Sequence, residues 1–181
     1  VDKDGQLFVA PIVISVNIPE GTTLRYTTDG TTPTLENGLT THTGIFRVSS
    51  TTTYRFRLFK EGMLPSAVVT RSYILKDRDI YLSVVTDPIN LFDDSLGIYV
   101  RGVNGRTGNG QRTPCNWNMD WDRPVNFEYF TTDGEMVINQ EVDMAMCGGW
   151  SRAWTPHSFK LKAEKIYEGK NFYEYPIFET K

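Results

Sequence analysis

The residues best suited to chemistry lie between Val142 and Ala163, and the chemistry they suggest is the capture of an anion. Val142, Met144 and Met146 alternate with Asp143 and Ala145, the period-2 pattern of a strand with one face on a core. Gly148-Gly149 ends that strand, Trp150, Ser151, Arg152, Trp154 and Thr155 follow, and Pro156 forbids helix at Thr155. A second strand then alternates, with Phe159, Leu161 and Ala163 on one face and Ser158, Lys160 and Lys162 on the other. Glycine amides, serine hydroxyls, Arg152 and two lysines could therefore converge on one phosphate. The same residues also read as ordinary antiparallel structure. Lys160 and Lys162 are then the solvated face of a half-buried strand, Gly148-Gly149 a turn, and Trp150 and Trp154 the closure of a core.

The elements around that stretch are read from composition first. The chain has 181 residues, 39% hydrophobic and 23% charged, with a net charge of -3. That is the balance of a globular protein of one large or two small domains. Its 19 Lys and Arg are scattered and outnumbered by 22 acidic residues, which argues against nucleic acid as a partner. Apolar runs are short, so no transmembrane segment is expected. The chain opens on Val-Asp-Lys-Asp-Gly and reads as a piece of a longer, processed or trimmed protein. Nine Tyr, 10 Phe and a threonine-dense first third favour strands. Cys115 and Cys147 could form one disulfide or remain two free thiols, since two cysteines make no framework.

In chain order, short strands are expected at Leu7–Val9, Ile12–Ile18, Leu24–Thr28, Gly44–Val48, Thr52–Phe59 and Ala67–Tyr73. Turns of Pro19-Glu20-Gly21 and Asp29-Gly30 lie between them, and together they describe a small antiparallel sandwich. A charged connection, Lys76-Asp77-Arg78-Asp79, closes this part. Tyr81–Thr86 then reads as a central strand buried on both faces, Asp87–Asp94 as a short helical turn, and Ile98–Val100 as another strand. Arg101–Met119 reads as a long loop without periodicity. Val125–Phe130 and Met136–Gln140 flank the turn Thr132-Asp133-Gly134-Glu135 and make a hairpin. The fold class expected is mainly β, a small immunoglobulin- or fibronectin-like sandwich followed by a second, mostly β domain.

Two resemblances add to this. The run Pro19 to Thr34, with its core Arg25-Tyr26-Thr27-Thr28-Asp29-Gly30 and Pro33, resembles the chitobiase/β-hexosaminidase C-terminal module, a fibronectin type III-like sandwich. Tyr54 to Gly62 with Pro65-Ser66 matches its usual ending. The resemblance implies an accessory spacer over 1–76 with no catalytic residues, in which Asp29 serves a turn and Tyr26 the packing.

The second resemblance is to the spore-coat CotH family of atypical, secreted, protein-kinase-like proteins. It is carried in order by Leu82–Pro88, Asn90–Asp93, Gly97–Val100, Trp121–Phe130, Gly134, Asn139-Gln140, Gly148–Arg152 and Ser158–Leu161, over a span from Ile80 to about Phe178. It implies that 79–181 is the N-terminal part of such a domain, truncated before the acidic catalytic segments. Gly148, Gly149, Ser151, Arg152, Ser158, Lys160 and Lys162 are then its nucleotide or phosphate side. Family members usually carry lysine where His157 stands and histidine where Cys147 stands.

No residue here is assigned as catalytic and no metal ligand set is recognised, so the chain by itself reads as inactive. The intact protein reads as an atypical kinase using Mg-ATP on a protein substrate, at the surface of or outside a bacterium. The competing reading is a surface module without phosphoryl chemistry. It would bind glycan or protein through Trp117, Trp121, Trp150, Trp154 and the 101–119 loop.

Overall fold

The structure, a computed structural model, describes residues 1–78 and 81–163. Asp79, where the second domain was expected to start, and the segment Tyr173–Phe178 lie outside the described residues, as does the end of the CotH resemblance beyond Ala163. The first elements are β1 (Gln6–Phe8), β2 (Ile12–Ser15), β3 (Thr23–Thr27), β4 (Leu39–Thr40), β5 (Ile45–Val48), β6 (Thr52–Phe59) and β7 (Val69–Leu75). They are followed by β8 (Tyr81–Val85), α1 (Ile89–Phe92), β9 (Arg106–Gly108), β10 (Gln111–Cys115), β11 (Asp122–Phe130), β12 (Met136–Met146) and β13 (Phe159–Lys162). The chain is mainly β with several antiparallel sheets, as its alternation predicts. It divides into two compact units, Val1–Val85 with Glu128–Asn139, and Thr86–Phe127 with the chain from Gln140.

In the first unit a five-stranded sheet, ordered β1-β7-β6-β3-β4, and a two-stranded sheet of β2 and β5 share one core. Alternation explains which residues enter it. Tyr54 and Phe56 point inward from β6 while Arg55 and Arg57 take the other face, and Leu24 does the same on β3. Ile14, Phe46 and Val48 close the core from the second sheet. Aromatic rings dominate it. Tyr26 meets Phe46 edge-on at 4.9 Å and Tyr54 stacks on Phe56 at 5.4 Å, contacts worth about 0.5–1.5 kcal/mol each beyond burial. Asp29 is a turn residue, its Oδ1 accepting from the Thr31 amide and hydroxyl, with Gly30 at φ +84°. The arginines of the opposite face latch the following loop to the sheet. Arg25 donates to the Leu35 and Gly38 carbonyls and Arg55 to that of Gly30.

A smaller cluster in the same unit joins Leu7, Tyr81 and Phe130 with Ile74 and Met136. The turn of the β11–β12 hairpin is held there by Lys76 Nζ donating to the Thr132 carbonyl at 2.6 Å. Gly134, at φ +99°, makes that turn as the sequence predicts.

The four-stranded sheet is ordered β13-β12-β11-β8. β8 is therefore its end strand and not a central one. Leu82 is 56% exposed, and only Tyr81 of this strand is buried. Ile98–Val100 is not a strand either. The amides of Ile98 and Tyr99 donate to the carbonyls of Asn90 and Leu91, so this segment pairs with the short helical turn.

The expected loop 101–119 contains a small hairpin, β9 and β10, and a 3-10 turn at Asn116–Asn118. Its tip is Asn109-Gly110, both at positive φ, the dipeptide most suited to a two-residue hairpin turn. No helix of the described residues is long and apolar enough to cross a membrane.

Candidate functional site

The second unit contains the loop from Cys147 to Ser158 that links β12 to β13. The two strands pair antiparallel, with Asp143 opposite Lys162 and Met146 opposite Phe159. The Cys147 amide donates to the Ser158 carbonyl at 3.0 Å and carries the pairing one step further. Past it the chain turns sharply. Gly148 sits at φ +92°, a region L side chains rarely adopt, and a Cβ there would also run into Ser151 Oγ. Gly149 begins a 3-10 turn over Trp150–Ala153, whose bonds run from the Arg152 amide to the Gly149 carbonyl and from the Trp154 amide to the Ser151 carbonyl. Thr155-Pro156 is cis.

Arg152 locks this loop. Its Nε donates to the Gly148 carbonyl at 2.7 Å and its Nη1 to the Trp117 carbonyl at 3.2 Å. Both acceptors are neutral carbonyls, and among the described residues no carboxylate pairs with this guanidinium. Trp150 packs against Gly110, where any Cβ would run into its ring, and its own side chain stays 59% exposed. Trp117 is half-buried, its Nε1 donating to Gln111 Oε1 at 2.8 Å.

His157 is gripped by rings on two sides. Its ring centroid lies 4.8 Å from that of Trp117 and 4.6 Å from that of Tyr99, and its amide donates to the Tyr99 hydroxyl at 3.1 Å. One contact is edge-on and the other tilted, so the imidazole is held within a small aromatic cluster.

The structure thus brings Gly148, Gly149, Ser151, Arg152 and Trp150 into one turn and ties that turn to Trp117 and, through Trp150, to Gly110. Ser158 stands at its base, exposed, and Lys160 follows it on β13, exposed opposite Ala145. Lys162 has a carboxylate partner, its Nζ lying 2.5 Å from Asp122 Oδ1. Trp121 is engaged separately, with the Arg123 guanidinium 4.9 Å over its ring, and Trp154 is 63% exposed. Phe159, expected on the core face, is 45% exposed, because β13 ends the sheet order and has little packed over it among the described residues. Cys115 and Cys147 are both free thiols. Cys115 is buried, with its Sγ donating to the Thr113 carbonyl at 3.4 Å, and burial pushes its thiol up.

Sequence reasoning missed Asn116 and Asn118, both wholly buried. Asn116 Nδ2 donates to the carbonyls of Asp94 and Gly97, and Asn118 Nδ2 to that of Arg106. These two side chains tie the Asp94–Gly97 loop and β9 to the 3-10 turn, and Arg106 adds an ion pair to Asp120. The Asn109-Gly110 dipeptide was the available signal that this region is ordered. Chemically, a glycine turn beside a guanidinium held by two neutral carbonyls suits an anion, while exposed Trp150 and Trp154 offer flat apolar faces.

Residues 4–70 are similar to the chitobiase/beta-hexosaminidase C-terminal domain, whose family model they match. The match covers the sandwich strands β1 to β6 and the start of β7. The CotH resemblance of the later residues has no support from these comparisons. No curated protein and no solved structure matches the chain.

Proposed function

We propose that this chain is a non-catalytic piece of an exported, CotH-like protein, in which 1–76 is a spacer sandwich and 79–181 carries the phosphate-facing hairpin of a protein-kinase-like domain. The observation that carries this reading is the β12–β13 pair with its tight turn at Gly148-Gly149, flanked by Ser151 and Arg152. Protein kinases cover the phosphates of ATP with a glycine-rich loop, and catalysis there depends on further carboxylates that hold metal and orient the nucleophile. In this reading the turn offers its amides to phosphate oxygens, Arg152 fixes the turn and supplies charge, and exposed Lys160 is the mobile cation. Lys162 contributes through the position of β13, since Asp122 already holds its ammonium. Phosphoryl transfer is assigned to other parts of the intact protein.

The test is a Mg-ATP titration followed by amide NMR shifts. Saturable shifts confined to Gly148–Arg152 and Ser158–Lys162, weakened about tenfold by Lys160→Ala, are expected, the size of one lost charge-assisted contact. Shifts that are absent, or that appear only at Trp150 and Trp154 with an oligosaccharide, would replace this reading by the glycan-binding one that the exposed tryptophans favour.

A further inference from the structure

Among the described residues, Glu128 is the one acid whose side chain is wholly removed from water, at 0% exposure. It stands on β11 within the first unit and its polar contacts are thin for a charge. Oε1 accepts from the Ser72 amide and from Asn139 Nδ2, both at 3.2 Å, and Oε2 makes no hydrogen bond among the described residues. Asn139 is shared, since the same Nδ2 lies 3.3 Å from the Thr70 carbonyl. The backbone of Gly5 seals the site. A Cβ there would come 2.8 Å from the Ser72 carbonyl oxygen and 3.1 Å from Oε1 and from Met136 Sδ.

The groups facing Glu128 come from four directions. β7 offers Thr70, Ser72, Arg71 and the Tyr73 phenol, and the N-terminal segment offers Gly5 with Asp2 and Asp4 nearby. β8 offers the Ser83 hydroxyl and β12 offers Asn139 and Met136. Arg71 is the cation of this set, and it is already engaged by Asp4 at 3.3 Å and by the Thr70 carbonyl. The hydroxyls of Thr53, Ser72 and Ser83 form a chain at 2.9 and 2.8 Å. A carboxylate would leave Oε2 charged, desolvated and without a hydrogen bond among the described residues, whereas the protonated acid carries no charge to desolvate.

We propose that Glu128 is a proton-operated latch. Protonated, it holds β7 against the end of the β11–β12 hairpin, and ionised, it loosens that contact, so the first unit is firmer in mild acid than in mild alkali. Burial acts in this direction, pushing the carboxyl above the usual carboxylate range more than the Ser72, Arg71 and Ser83 contacts pull it back. An unfolded glutamate releases its proton near about pH 4.3. The folded one holds it to higher pH, so the folded form binds more protons in between. Stability is full below the unfolded value, falls as pH rises through that window, and levels off above the folded value.

Thermal melts of the whole chain from about pH 5 to about pH 8, beside Glu128→Gln, test this. The melting midpoint of the parent should drop with pH by about 3 °C or more relative to that of Glu128→Gln, whose amide cannot ionise. Parallel profiles would overturn the latch. Difference infrared spectroscopy of the parent gives a readout independent of the variant's folding. A protonated-carboxyl carbonyl band that persists at about pH 5.5, above the ordinary glutamate range, and disappears as the pH is raised further is expected, and its absence there overturns the proposal.

Discussion

Gly102 sits at φ +61° directly against the Asn116 amide, whose two donations, each 3.0 Å, hold the carbonyls of Asp94 and Gly97. A methyl group there needs both a strained backbone and the displacement of a buried polar hub. Gly102→Ala should therefore lower stability by roughly 2 kcal/mol or more, read as a fall in the urea midpoint with unchanged slope. Gly108 has nothing near its would-be Cβ, and Gly108→Ala should stay within about 0.5 kcal/mol of the parent. At this scale the phosphate candidates were legible as residue types, but the aim of Arg152 was not. Its second acceptor is the Trp117 carbonyl, 35 residues away, and no local pattern encodes that. The place of His157 between Tyr99 and Trp117 depends on two distant rings, which no local pattern encodes.

Among the elements, β12 and β13 differ in what holds them. Val142 is fully buried on an inner strand, so Val142→Ala should cost about 2 kcal/mol from lost burial and the cavity left behind. Lys162→Ala on the end strand removes a partly solvated ion pair to Asp122 and should cost less than about 1 kcal/mol. Chemical denaturation of both variants checks the contrast. In native-state hydrogen exchange, the β6 amides, between β7 and β3, should be protected far longer than those of β13. Period-2 alternation placed β1, β3, β5, β6 and β7 within a residue or two of where they lie, ran β2 three residues too long and passed over the short β4. It misjudged β8, because an apolar run such as Leu82-Ser83-Val84-Val85 looks the same at the end of a sheet as in its middle. It also passed over β9 and β10, whose polar side chains carry no hydrophobic period although their turn residues mark a hairpin.

For the whole molecule, the aromatic packing of the sandwich is the largest single store of burial that the sequence advertises. Phe46 touches Tyr26, Tyr54 and Phe56 from the opposing sheet, and Phe46→Ala should cost about 3–5 kcal/mol in a thermal or urea melt. The sequence marks a charged connection at Lys76–Asp79, and the first compact unit also takes in Glu128–Asn139 from the later chain. Strands β11 and β12 run through both units, so neither unit is one continuous stretch of chain.

The sequence by itself determined that this protein is mainly β, that its first part is a sandwich similar to the chitobiase/beta-hexosaminidase C-terminal domain, and that a glycine turn links two late strands. Each follows from local spacing, whether alternation, turn dipeptides or a motif read along the chain. Only the tertiary structure decided that Arg152 spends two donors on carbonyls, that Asn116 holds the carbonyls of Asp94 and Gly97, and that Glu128 is sealed away from water beside Ser72 and Asn139. Each of those facts includes a contact between residues far apart in the chain, such as Arg152 to Trp117, Asn116 to Gly97 and Ser72 to Glu128. Burial and partner choice depend on which surfaces the packed strands bring together, and alternation specifies a face without naming what will cover it.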